Sequence, residues 1–376
     1  MNRLLPASFR SRANYALAVL SEVLWPLLWL LGRLVSGRPS PREEWRRGVL
    51  LGADHIGDVL YRTASLPGLA EATPGCVWSW LCGPPADEII EADPLIAGGC
   101  VRLPLGVEGT PFLKLVSTLR RGRYDVALCY DTGQYWKLSL ATALAGIPAR
   151  IGYVHKGFSG LVTHPVAIRW PQPFPAYFRD LVAQLAGKPP GAGELRPRIS
   201  TTPGDEAAAS RFWKEKGLDQ GKMVLACAFF SRQPKTYPLS EFAEIVRRVG
   251  RRHEVAWLFL GSLAERKKWE CFLKENDLDG VVLAGELGIR SLAALLGRCR
   301  ALFAADSGVR HIADAVGIPV VFASNPQSFR TETGVYMDGE TDIALADGYG
   351  LDVEKAEGVL CTLLSSSLLT KTGGSL

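Results

Sequence analysis

The stretch ALFAADSGVRHIADAVGIPVV, residues 301–321, reads as a buried strand ending at Asp306, a turn at Ser307 and Gly308, an immediate helix and a second apolar strand. Strand, turn, helix, strand is the repeating unit of an α/β fold with parallel sheets. Upstream of it the same alternation predicts strands over 223–227, 255–261 and 281–284 and helices over 239–251, 264–276 and 289–298. In the first half it predicts strands over 48–52, 77–81, 125–130 and 150–153, and helices over 58–71, 84–92, 110–121 and 135–145. Between the halves, the prolines and glycines of 187–205 mark a linker. The expected plan is an arm over 1–40, a Rossmann-like domain over 41–190, a linker over 191–206, a second Rossmann-like domain over 207–350, and a helix with a disordered tail over 351–376. Two such domains would face each other across a cleft.

Charge separates the arm from the rest. The chain has 376 residues and a net charge of +5. Eight arginines and three glutamates in residues 1–50 account for all of that charge, and the other 326 residues hold 35 basic and 35 acidic side chains. An electrically neutral body argues against nucleic-acid binding, which needs a charged face to displace counterions. Within the arm, YALAVLSEVLWPLLWLL over residues 15–31 is flanked by arginines and broken by Ser21, Glu22 and Pro26. It is short for a bilayer span of about 20 residues. On a helical wheel Leu17, Leu20, Leu24, Leu27, Leu28, Leu31 and Val35 form one stripe, while Ala18, Glu22, Trp25, Trp29 and Arg33 form another. That pattern suits one amphipathic helix lying in a membrane interface, with arginines drawn to anionic lipid. The alternative is a helix packed on the protein's own surface or on a partner. Eight cysteines without a C-x-x-C pair read as reduced core thiols of a cytosolic protein, and the five scattered histidines predict no protein-held metal.

Four segments carry candidate chemistry. GVLLGADHIGDVLYRTASLPGL, residues 48–69, is a strand, a glycine loop and a helix. Gly52 and Gly57 have P-loop spacing, but Asp58 stands where a phosphate loop needs lysine, which excludes a nucleoside-triphosphate site. The glycines turn the chain so that Asp58 reaches the sheet edge, where it serves as a general base or, equally, as a helix cap. In the opening stretch, Asp306, Ser307, Gly308 and His311 place backbone amides and a positive helix end where a diphosphate can bind without a metal. The alternative is an ordinary cap with an exposed histidine. CAFFSRQPKTYPLSEF, residues 227–242, supplies Arg232 and Lys235 in a proline-stiffened loop, as neutralisers of a leaving diphosphate or as solvated charges. LFLGSLAERKKW, residues 258–269, places Glu265 after a strand-ending glycine, as a ribose contact or a helix-start glutamate.

Taken together and in this order, GADHIGDV, YDVALCYDTGQYWKLSLATALAGIPARIGY, RQPKTYPLSEF, the Gly-Ser…Glu turn and LFAADSGVRHIADAVGIPVV resemble glycosyltransferase family 9, the heptosyltransferases of the lipopolysaccharide core. The resemblance implies a GT-B fold and inverting transfer from a nucleotide diphosphate sugar, typically ADP-heptose, with no cofactor or essential metal. It implies Asp58 as catalytic base, Lys235 as leaving-group cation, Glu265 as ribose contact, and Asp306, Ser307, Gly308 and His311 around the donor phosphates and sugar. It implies a lipopolysaccharide-core or other lipid-linked glycan acceptor; the arm, which lies outside the family's common core, is expected from its own pattern to hold the enzyme peripherally on the inner face of the cytoplasmic membrane. The chain departs from the family in Phe229, Phe230 and Tyr237 around the lysine loop, which is expected to border the donor sugar, and in His55. Lys137, Arg150 and Lys156 are candidate contacts for an acidic acceptor or are surface charges. A catalytically silent nucleotide-sugar-binding protein, a family member using another nucleotide sugar, and an epimerase or hydrolase on the same architecture are the competing functions.

Overall fold

The protein is described as a computed structural model, covering residues 4, 11–130, 135–218, 220–230, 237–324, 330–345 and 350–366. The chain forms two compact units, residues 1–197 and 198–376. The first holds strands β1 (Arg47–Leu51), β2 (Val77–Cys82), β3 (Cys100–Arg102), β4 (Val126–Cys129), β5 (Ala149–Tyr153) and β6 (His164–Val166). The second holds β7 (Met223–Ala228), β8 (Val255–Phe259), β9 (Val281–Val282), β10 (Ala301–Ala305), β11 (Val320–Ala323) and β12 (Glu340–Asp342). Every pairing within the two sheets is parallel.

Both sheets have the same order. The first runs β3-β2-β1-β4-β5-β6 and the second, read from its other edge, β9-β8-β7-β10-β11-β12. In each unit the order reverses between the first and fourth strands, and ligands of such sheets bind beyond the carboxyl ends of the strands at that point. Strands covered on both faces read as unbroken apolar runs, which is why β4 and β10, buried at every position, stand out in the sequence. Phe229 and Phe230, the departures beside the lysine loop, are core residues: Phe229 packs on Phe242 and Phe303 with ring centres 4.2 and 5.4 Å apart, and Phe230 lies 4.4 Å from Trp269. Their bulk fills the second unit's aromatic core.

Several elements differ from expectation for identifiable reasons. The helix expected over 58–71 is two, Ile56–Thr63 and Leu66–Ala72, because Pro67 lacks the amide that a continuous helix needs. The expected arm helix is likewise two, α1 (Arg12–Val23) and α2 (Trp25–Ser36), bent by 71° where Pro26 opens the second. Helix Phe174–Leu185 was unexpected, and helix Pro203–Glu215 begins inside the expected linker, fixed by a capping box between Thr202 and Asp205. All eight cysteines are free; four are buried and Cys271 is exposed.

His155, buried against Tyr153 and Trp170, makes the first unit acid-sensitive. Burial, with Lys156 adding to it, pushes the imidazole pKa down from 6.5 to about 3. The unfolded chain therefore binds a proton that the folded chain refuses between those values. Stability is complete above about pH 6.5 and falls on acidification with a slope of up to about 1.4 kcal/mol per pH unit. Urea melts from pH 7 to 4 are expected to show that slope, and His155→Gln is expected to flatten it.

Candidate active site

In the first unit, β1 lies between β2 and β4 and delivers the chain to residues 52–55 and helix Ile56–Thr63. Gly52 is required there: a Cβ would sit 2.7 Å from the Arg62 guanidinium carbon. Arg62 is only 2% exposed, donates from Nη1 to the Ala53 carbonyl, and lies 5.1 Å from the Phe178 ring centre. From the side, Asp54 Oδ2 accepts from the amides of Gly83 and Val107 at 2.8 and 2.9 Å. The loop is thus pinned by two residues that the sequence reading passed over, although both lie within the quoted motif.

Asp58 occupies the first turn of the helix, with Gly57 before it. It is half-buried, and among the described residues its carboxylate takes no hydrogen bond or ion pair. The capping role is therefore not the one it performs here, and the N-cap residue His55 makes no side-chain cap bond either. A carboxylate at a strand-to-helix junction, without a partner among the described residues, can accept a proton from a bound hydroxyl.

The second unit repeats this construction at β10. The Asp306 amide donates to Ala323 O at 3.0 Å, Ser307 is the N-cap, and helix Gly308–Val316 follows. Ser307 makes no side-chain cap hydrogen bond, and its buried Oγ has no partner among the described residues. Ser324, one residue past β11, is fully buried with the same deficit at Oγ. Because Ala305 pairs with Ala323, the two hydroxyls follow adjacent strands at the same sheet edge. Buried hydroxyls without partners are costly, about 1–3 kcal/mol each, and native proteins rarely keep them without a ligand or water to serve. Among the described residues no side chain caps the start of this helix, which suits an anion.

Beneath them lies a buried network centred on Arg310, which the sequence reading did not single out. Its guanidinium, fully buried, donates to Glu340 Oε1 at 2.5 Å, Asp306 Oδ1 at 3.3 Å, Thr333 O at 2.7 Å and Gly334 O at 2.6 Å, and it lies 3.5 Å over the Phe322 ring. Glu340 Oε2 in turn accepts from the amides of Tyr336 and Met337. Asp306 therefore braces Arg310, and Arg310 ties the 333–340 segment to the helix start.

His311 is buried, not exposed. Its Nδ1 lies 2.9 Å from Tyr336 Oη, whose only proton goes to Asp314 Oδ2 at 2.6 Å. Nδ1 therefore carries the hydrogen. His311 Nδ1 also lies 3.4 Å from Asp314 Oδ2.

The remaining expected residues divide. Arg232 and Lys235 follow β7, the neighbour of β10, but lie outside the described residues. Glu265 Oε2 accepts from the Ser262 amide and hydroxyl at 2.7 and 2.9 Å, so that oxygen serves a cap. Lys137 is not a free acceptor contact: Nζ donates to the carbonyls of Val107, Glu108 and Thr110. Arg150, 3% exposed, is likewise spent on the carbonyls of Leu161 and Ile147. Lys156 is half-buried. No group of three or more His, Cys, Asp or Glu suited to a metal occurs among the described residues.

Residues 112–335 match the family model described as glycosyltransferase family 9 (heptosyltransferase). Among solved structures, the chain is similar to the glycosyl transferase family 9 protein of Veillonella parvula, at 20% identity and a TM-score of 0.74 over 85% of this chain and 97% of that one. It is similar to E. coli ADP-heptose lps heptosyltransferase II at 20% identity and 0.67, covering 85% and 98%. It also resembles E. coli heptosyltransferase WaaC with ADP at 14% identity and 0.65, covering 84% and 99%. No curated protein sequence matches the chain. These likenesses give the fold as the two-unit α/β GT-B type.

Proposed function

This chain belongs to glycosyltransferase family 9, and on that premise we propose that it is an inverting, metal-independent heptosyltransferase. It takes heptose from an ADP-linked donor and gives it to a lipopolysaccharide-core or other lipid-linked acceptor at the inner face of the cytoplasmic membrane. The observation that carries the donor side is the start of helix Gly308–Val316, which no side chain caps, flanked by the Ser307 and Ser324 hydroxyls, which have no partner among the described residues. Relatives of the same fold are solved as an ADP-heptose transferase and with bound ADP, which supports the choice of nucleotide.

The chemistry follows from the residues. Asp58 takes the proton of the acceptor hydroxyl as its oxygen attacks the anomeric carbon. The bond from that carbon to the β-phosphate oxygen breaks on the opposite face, and its electron pair leaves with ADP. One displacement inverts the configuration, so no covalent nucleophile is needed. The growing diphosphate charge is met by the Gly308 helix end and by Lys235 and Arg232, placed after β7 by chain order. These cationic and dipolar groups take the role that a divalent ion has elsewhere.

A thermal-shift series with ADP, ADP-heptose, UDP-sugars and GDP-sugars tests the donor. Ligand at a hundredfold excess over its dissociation constant adds about 2.7 kcal/mol of stability. The adenine nucleotides are expected to raise the melting temperature. Stabilisation by UDP- or GDP-sugars alone rejects the heptose donor, and donor binding without turnover on any acceptor favours a silent binding protein.

A further inference from the structure

The arm is packed inside out. Its small and polar residues face the first unit: Ala18, Ser21, Gly32 and Ser36 are buried. Ser21 Oγ accepts from the Phe158 amide at 2.8 Å, and Ser36 Oγ donates to Ala143 O at 2.9 Å. Glu22, the one acidic residue in the apolar run, accepts from the Ser159 amide at 2.9 Å and from its hydroxyl at 2.6 Å. Close approach depends on glycine: a Cβ on Gly160 would sit 2.7 Å from Trp25 O, and one on Gly157 2.6 Å from Ser21 Oγ.

The large apolar side chains point the other way. Val23, Leu27 and Leu34 are 71%, 64% and 77% exposed, and Leu20, Trp29 and Leu30 are also on the surface. A soluble surface rarely keeps so continuous an apolar face without a partner. Cations border it: Arg12 and Arg38 are exposed, and Arg33 lies 5.3 Å from the Trp29 ring centre, which itself stacks with Trp25. Among the described residues no single helix is long and apolar enough to cross a membrane; α1 and α2 together have the length and composition, but they are bent by 71°.

We propose that the outer face of α1 and α2 is a monotopic docking surface for an anionic phospholipid bilayer, latched to the first unit through Glu22. The commitment to anionic lipid comes from charge: the arm over 1–40 holds five arginines against one glutamate, while residues 51–376 are electrically balanced. Apolar side chains enter the boundary between headgroups and acyl chains while arginines meet lipid phosphates. Glu22 does not face the lipid, so its charge costs no membrane affinity. The inference deepens the lipid-linked acceptor reading and takes its evidence from the arm alone.

Vesicle flotation of the full chain tests it, using phosphatidylcholine vesicles with and without 30% phosphatidylglycerol. The wild type is expected to float with the anionic vesicles, less so as salt rises, and poorly with the neutral ones. A triple variant, Val23→Glu, Leu27→Glu and Leu34→Glu, alters only outward side chains and is expected to bind at least tenfold more weakly with an unchanged melt. Glu22→Ala is expected to float as before while hydrogen exchange at the Phe158 and Ser159 amides quickens. Equal flotation of the triple variant, or none by the wild type, overturns the proposal. So does wild-type dimerisation that the triple variant abolishes without any flotation, which makes a second copy the occupant. An N-terminal tag protected from protease inside sealed vesicles overturns the monotopic geometry. Transfer to a water-soluble acceptor fragment, assayed in parallel, reads the catalytic proposal independently of docking.

Discussion

Asp58→Asn is expected to lower sugar transfer by about 10²–10⁴-fold, the usual contribution of a positioned general base. The change is nearly isosteric and touches a side chain with no hydrogen bond or ion pair among the described residues, so neither the melt nor donor binding is expected to move. The loss therefore falls on turnover, not on the donor's dissociation constant. Transfer by Asp58→Asn at the wild-type rate removes the base assignment and leaves the family membership untouched.

Arg310→Ala is expected to be the most destabilising single change in the second unit. It leaves Glu340 and Asp306 as buried carboxylates without their cation and strips the carbonyls of Thr333 and Gly334 of a donor. Removing one member of a buried ionic group costs about 3–5 kcal/mol. Arg310→Lys keeps the charge but not the planar fork that reaches four acceptors at once, and is expected to recover only part of that loss. Urea denaturation measures the effect, and ADP-induced stabilisation reads whether the site survives. Because Asp306 and the 333–340 segment are held by the same guanidinium, the variant is expected to weaken nucleotide binding as well. A cost below about 1 kcal/mol contradicts the structural role assigned to this residue.

The two strand-turn-helix junctions that carry the candidate residues are legible in the sequence for a physical reason. Strands β1 and β10 are buried apolar runs, and each is followed by glycine-bearing turns and a helix with a carboxylate or serine at its start. That is local information. What stayed hidden depends on contacts between distant segments. Arg310 sits on a short amphipathic helix, where an arginine ordinarily faces water, and only the fold brings Glu340 and Thr333 to it. Its spacing of four from Asp306 was the one clue on offer. Lys137 and Arg150 had the composition of ligand contacts, but carbonyls elsewhere in the first unit claim them. Strands β3, β6 and β12, three residues each, are too short to show a period. The arm's helical wheel assumes one helix; the bend at Pro26 resets the phase midway, so Trp25 and Trp29, drawn on the stripe of Ala18 and Glu22, lie exposed with the leucines while Ala18 is buried.

The identical strand order of the two sheets has a consequence for how such a chain can change over time. Each unit closes its own core around its own sheet, and the proposed binding loops follow the first and fourth strands of each. Substitutions in the loops after β7 and β10 alter what the second half recognises without repacking the first, and those after β1 and β4 do the converse. Innovation in one half is thus insulated from the folding of the other, and the chain inherits its two specificities as separable traits.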